Sequence, residues 1–125
     1  MSYISVSDIK SNIAQGFALQ DYILECDEEI NDLAESLGIA STDIDVAPLH
    51  YKIKRYGVAF ILMRLCQDKM GSNDVNLDME KYLIQYNVYK KELAALKGEI
   101  SQEMFTGRVN SMNDRSVFSG IIYRS

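Results

Sequence analysis

The side chains able to do chemistry are few, and their spacing excludes more than it offers. His50 is the single histidine. An imidazole can serve as a general base, but no Ser or Cys nucleophile motif accompanies it. Its place in the first turn of an expected helix points to a surface or cap role. Cys26 and Cys66 each continue an apolar stripe and read as small buried hydrophobes. With neither a C-x-x-C pair nor a second His, they complete no zinc ligand set. The densest set of oxygen ligands is Glu25, Asp27, Glu28, Glu29, Asp32 and Glu35. It lacks the Glu-x-x-His spacing of di-metal helical bundles. It also lacks the alternating ligands, central Gly and terminal Glu of an EF-hand loop. The glycines are isolated, so no phosphate-cradling loop is present. No catalytic residue, metal or cofactor is expected, and the chain is not expected to be an enzyme. Lys52, Lys54 and Arg55, with Arg64 and Lys69 further on, could touch phosphates, but no helix-turn-helix pair accompanies them. Tyr82, Tyr86 and Tyr89 could stack on bases; at helical spacing they read instead as the edge of a core, hydroxyls outward.

The elements that must carry these residues are helices. Ser7 is expected to cap a short helix from Asp8 to about Gln15, ended by Gly16. A longer helix is expected from about Leu19 to Leu37, with Leu19, Ile23, Cys26, Ile30, Leu33 and Leu37 in one stripe at spacings of four and three. Its other face is rich in carboxylates, and Gly38 supplies the stop. After a polar connector from Ile39 to Ala47, a central helix is expected from Pro48 to about Met70. Leu49, Ile53, Tyr56, Phe60, Met63, Cys66 and Met70 form its main stripe. Val58, Ala59, Ile61, Leu62 and Leu65 lie off that stripe, so its middle is expected to be enclosed on several sides. Gly57 within it marks a close helix contact. Asn73 or Asp74 is expected to cap the next helix, which runs to about Lys97 on a stripe of Met79, Tyr82 or Leu83, Tyr86, Tyr89, Leu93 and Leu96. Gly98 closes or kinks it, and Glu99–Phe105 can add a further turn. The expected fold is therefore all-α: a small bundle of three long helices and one or two short ones over residues 1–107, with an extended C-terminal arm over 108–125.

Composition agrees with one folded domain. The 125 residues are 47% hydrophobic and 25% charged, within the globular range rather than the disordered one. A chain of this size needs no disulfide or metal staple. The opening residues lack a basic stretch followed by an apolar one, so no signal peptide is expected. The longest apolar run, Val58–Met63, falls far short of the roughly 20 residues a bilayer requires. The net charge of −5 argues against a general DNA coat. It also conceals a division. Residues 1–47 carry ten acids and one base, a net −9, whereas residues 48–125 carry twelve bases and eight acids, a net +4. Opposite charge held on separate parts of a chain suits ordered association between proteins.

After Gly107 no helical stripe continues. Residues 108–125 contain three Arg (Arg108, Arg115, Arg124) against Asp114 alone. Val117, Phe118, Ile121, Ile122 and Tyr123 are too apolar for a purely solvating tail. The segment is expected to dock on another subunit, in the manner of strand addition.

Taken in order, the opening segment Ile4–Ile9, the amphipathic run Asp21–Glu35, the polar loop ending Asp43–Pro48, the run Leu49–Phe60, the helix end Tyr89–Ile100 and the terminal arm resemble the head–tail connector (adaptor) proteins of tailed bacteriophages. The resemblance covers nearly the whole chain and carries no catalytic motif. It implies a helical bundle assembling as a ring, commonly of twelve copies, beneath the portal protein of a filled capsid. Such a ring extends the DNA channel, lets DNA pass without specific binding, and joins the head to a stopper or tail-completion protein. Location in the virion, with host cytoplasm during assembly and no membrane, follows from the same likeness. The matching candidates for docking on a neighbour or the portal are the arm, with Arg108, Arg115, Val117, Phe118, Ile121, Ile122, Tyr123 and Arg124, and the loop Ile39–Ala47. The acidic helix, with Glu25, Asp27, Glu28, Glu29, Asp32 and Glu35, then either meets a neighbouring subunit or lines the channel. The alternative from another class is a small helical DNA-binding or packaging-associated regulatory protein, working through Lys52, Lys54 and Arg55.

Overall fold

The computed structural model describes residues 2–11, 14, 17–46, 48–71 and 78–107. Among these residues the chain is all-α, with helices α1 (Gln20–Ser36), α2 (Tyr51–Met70), α3 (Met79–Glu99) and a short α4 (Gln102–Thr106). No strand occurs among the described residues, and none of their helices is long and apolar enough to cross a membrane. The arm over 108–125, with every candidate docking residue in it, lies outside the described residues.

The stripe read from the sequence is the buried face of α1. Leu19, Ile23, Cys26, Ile30 and Leu33 are buried, Ala34 joins them, and Leu37 is partly covered. The helix ends where expected. Gly38 takes a left-handed φ of 81°, and the Ile39 N–H donates to the Ala34 carbonyl at 2.9 Å. This closes the last turn in the manner of a Schellman cap and leaves Ile39 buried.

α2 is the central element, because α1 and α3 both pack on it. Ile53, Tyr56, Ala59, Ile61, Leu62, Leu65 and Cys66 are all buried, so its enclosed middle follows the sequence reading. Its start differs. The helix begins at Tyr51 rather than Pro48, and His50 is its N-cap, with Nδ1 accepting from the Lys52 N–H at 3.1 Å. The imidazole thus supplies an acceptor that an orphan first-turn donor needs. α3 begins at Met79, and the Asp78 carboxylate caps it by accepting from the Lys81 N–H at 3.1 Å. Asn73 and Asp74, expected in that role, lie outside the described residues. Gly98 sits in the last turn without ending the helix, which stops as Ile100 turns to extended backbone.

The opening segment corrects the expected helix from Asp8. Val6–Asp8 form one 3-10 turn, and Ile9 leaves it extended, with φ −96° and ψ 100°. The physical reason is Asp8 itself: its carboxylate accepts from both the Ser5 N–H and the Ser5 hydroxyl, at 2.9 and 3.1 Å. Ser5 thus takes the place expected of Ser7, and the turn closes early. Gln15 and Gly16 lie outside the described residues. The segment is sewn to α1 by the Tyr3 N–H donating to Asp27 at 2.9 Å and the Tyr3 hydroxyl donating to Asn31 at 2.6 Å. Ile4 is thereby inserted fully into the core.

Gly57 makes that insertion possible. A Cβ there would stand 2.7 Å from Ile4 Cγ1 and 3.0 Å from Cys26 Sγ, closer than real side chains pack. Gly57→Ala is therefore expected to destabilise the chain, since overpacking costs about 1–3 kcal/mol against a helix-propensity gain of about 1 kcal/mol. In an Ile4→Ala background, where only the Cys26 Sγ contact remains, the same change should cost less. Urea unfolding of the four proteins in the cycle measures the sign. Asp78→Ala should cost about 0.5–2 kcal/mol in the same assay.

Candidate functional site

The six carboxylates singled out on α1 do not share one fate. Glu25 accepts from Arg64 Nε at 2.9 Å, and Arg64 also reaches Asp68 at 3.5 Å along α2. Glu29 accepts from the Tyr56 hydroxyl at 2.6 Å, and Asp27 holds the Tyr3 N–H. These three face partners within the chain and are half-buried. Glu28, Asp32 and Glu35 are exposed, together with Asp21. The outward acidic surface is thus those four residues, with Leu24 half-exposed among them. Spacing alone separated the acids from the apolar stripe; it could not show that the boundary acids meet cations and phenols of α2.

The seam between α1 and α2 has a distinct electrostatic character. Burial, and then the carboxylate acceptor, raise the phenol of Tyr56 above its ordinary value. The same two causes take Tyr22, whose hydroxyl donates to Asp68 at 2.7 Å, to about 12. Arg64 is raised by its hydrogen bond to Glu25. The Asp8 carboxyl is lowered first by the Ser5 N–H that it accepts.

The basic cluster is also answered from within. Lys52 meets Glu99 at 2.9 Å, Arg55 meets Glu92 at 3.3 Å, and Lys54 stands 3.9 Å from Asp8, the outer limit of a direct pair. Phosphate binding at Lys52, Lys54 and Arg55 would compete with those three acids. Arg64 is committed to Glu25, and the Lys69 ammonium lies 4.0 Å from the centre of the Phe17 ring.

α3 departs from its expected stripe. Tyr82 and Leu96 are buried, and Tyr86, Tyr89 and Leu93 pack against the core. The Tyr89 hydroxyl lies 3.4 Å from that of Ser11. Met79 and Leu83, however, are exposed, and so are Ile84 and Val88. The helix is apolar on more than one side, and α2 covers only the tyrosine side. The spacing of Ile84 and Val88, four apart and off the tyrosine row, is the sequence signal for this second face.

Between the opening segment, α2 and α3 lies a cleft of about 580 Å³, lined by residues that include Lys10, Val58, Leu62, Lys81 and Tyr89. A hollow of about 230 Å³ adjoins it, sharing Asp8, Val58, Leu62 and Tyr89. Its charged rim is taken up by the pairs of Arg55 with Glu92 and Lys54 with Asp8. Among the described residues no three His, Cys, Asp or Glu side chains converge as a metal-holding group. Both cysteines are free and buried. Burial raises the Cys26 thiol to about 12 and raises Cys66 as well, which suppresses the reactive thiolate. The connector Ile39–Val46 is held on its own chain: Ile39 and Ile44 are buried, and the Asp45 N–H donates to the Phe105 carbonyl at 2.7 Å. Ala47 lies outside the described residues.

Comparison with protein-family models, with curated proteins and with solved structures found no match for this chain.

The raised phenols have a definite sign. A proton that the folded state holds more tightly gives stability that is complete below the unfolded phenol value, 10.0, and is lost as pH rises through about 12 for Tyr22. In an absorbance titration of the native chain, Tyr22 and Tyr56 should ionise after the exposed tyrosines. Tyr22→Phe and Tyr56→Phe should each remove part of that late phase. Loss of the late phase without either substitution would place both phenols in water. In the same native state, an aromatic disulfide reagent should leave Cys26 and Cys66 unmodified until denaturant is added.

Proposed function

We propose that this chain is a non-enzymatic assembly protein, a head–tail connector of a tailed phage. It forms a ring beneath the portal, extends the DNA channel and presents a platform to the stopper or tail-completion protein. The observation that carries the reading is a helical body whose described residues close at α4, followed in the sequence by an apolar, arginine-bearing segment. Phe105 is fully buried, Gly107 turns the chain with φ 74°, and α4 is tied back to the connector through Asp45. Eighteen residues follow, including Val117, Phe118, Ile121, Ile122 and Tyr123 between Arg115 and Arg124. Apolar side chains in that number favour burial against a partner. The likeness in segment order to connector proteins supplies the kind of partner.

DNA on this reading passes through the ring without being gripped. The internal pairing of Lys52, Lys54 and Arg55 supports that view, because cations already facing carboxylates contribute less to phosphate binding. The same pairing weighs against the regulatory DNA-binding alternative.

Full-length protein mixed with portal-bearing, DNA-filled capsids is expected to add a ring of density at the portal vertex in electron micrographs. Absence of a ring under every assembly condition contradicts the connector reading. Deleting Arg108–Ser125 should leave helical circular dichroism and thermal midpoint unchanged while abolishing that density. A parallel fall in the midpoint would instead make the segment part of the chain's own core.

A further inference from the structure

Among the described residues two outward faces have no partner element, and they differ in chemistry. On α3, Leu83, Ile84 and Val88 are 49%, 53% and 50% exposed, an apolar surface that a lone helix in water has no reason to keep. Beyond it towards the C-terminus lie Lys90, Lys91 and Lys97. The acids that might offset them are engaged elsewhere, Glu92 with Arg55 and Glu99 with Lys52. On α1 the outward residues repeat this order with opposite charge. After exposed Asp21 in the first turn comes Leu24, 52% exposed, followed by exposed Glu28, Asp32 and Glu35, and no Lys or Arg occurs anywhere in α1.

We infer that the outward face of α3 in one copy packs on the outward face of α1 in a second copy, with the two helices parallel. This deepens the assembly reading above and rests on it for the biological setting only. Parallel pairing sets Leu24 against Leu83, Ile84 and Val88 and brings Lys90 and Lys91 beside Glu28, Asp32 and Glu35. Antiparallel pairing would set Glu28, Asp32 and Glu35 on the apolar end and leave Asp21 alone near the lysines. Within one chain, α1 and α3 both run antiparallel to α2. Tyr22 meets Asp68 and Glu25 meets Arg64 on one side, while Arg55 meets Glu92 and Lys52 meets Glu99 on another. Helices α1 and α3 are therefore parallel to each other, and adjacent copies joined this way all point in one direction, as a cyclic assembly requires. Ala94 and Ala95 are exposed on α3 and let the helices approach closely. The contact joins unlike faces, so each copy keeps one of each free, and the series continues until rotation closes it. Of the two placements open for the acidic helix, this one is the subunit contact rather than the channel wall.

The test uses the full chain in analytical ultracentrifugation, with folding checked by circular dichroism. One variant carries Glu28→Lys, Asp32→Lys and Glu35→Lys; the other carries Lys90→Glu and Lys91→Glu. The wild type should self-associate, more weakly as salt rises, and each variant should associate at least about tenfold more weakly. Mixed in equal amounts, the two variants should recover association, because both junctions of an alternating series are again complementary. A chain carrying both sets should recover it alone. A monomeric wild type at every concentration, variants that associate like the wild type, or a mixture that stays apart each overturns the contact. A ring on portal vertices that both variants still build would sink this contact and keep the connector reading. Recovered pairing with bare portal vertices would do the reverse.

Discussion

The rest of the structure depends on the close approach at Gly57. Ile4 and Cys26 meet α2 there with no room for a Cβ, and both are fully buried. That contact draws the opening segment into the groove beside α1, and the polar pairs fall into place around it. Tyr3 reaches Asp27 and Asn31 on one side; Tyr56 and Arg64 reach Glu29 and Glu25 on the other. Burial of the apolar set provides the drive, while the carboxylates at its border fix which turn of α1 lies over which turn of α2.

The same division decides which charge is available to partners. Border acids of α1 meet Arg64, Tyr56 and Tyr3, while Lys52, Arg55 and Lys54 of α2 face Glu99, Glu92 and Asp8, so these charges tune the fold rather than a ligand. What remains outside is an acidic strip with one leucine on α1 and an apolar, lysine-bearing strip on α3. Two unlike outward faces, with further apolar sequence after α4, are the features on which the proposed assembly rests. The net charge of −5 resolves into these local surfaces, and their arrangement carries the functional reading.

Much of this was legible in the sequence, for identifiable reasons. The stripe from Leu19 to Leu37 follows helical period closely and ends on a glycine that adopts positive φ, so α1 was readable almost to the residue. The close-contact role of Gly57 was readable because a glycine inside a long apolar helix has few other uses. Periodicity predicts a helix from Asp8, but Asp8 bonds back to Ser5, a local competition between side chain and backbone that periodicity does not register. Periodicity admits Met79, and either Tyr82 or Leu83, to the inner stripe of α3 because that helix is apolar on more than one side. Only the packing of the tyrosine side on α2 shows which side faces out. The split among the α1 acids was hidden because it depends on Arg64 and Tyr56, more than twenty-five residues away in the chain.

Zero-length carbodiimide cross-linking of an equal mixture of ordinary and nitrogen-15-labelled full-length chains, read by mass spectrometry, tests the central claim most directly. Lys52 joined to Glu99 within one chain serves as the internal standard, since the pair lies at 2.9 Å. The account predicts mixed-isotope products joining Lys90 or Lys91 of one copy to Glu28, Asp32 or Glu35 of another. Mixed-isotope products confined to other carboxylates, or cross-links found only within single chains, would contradict it.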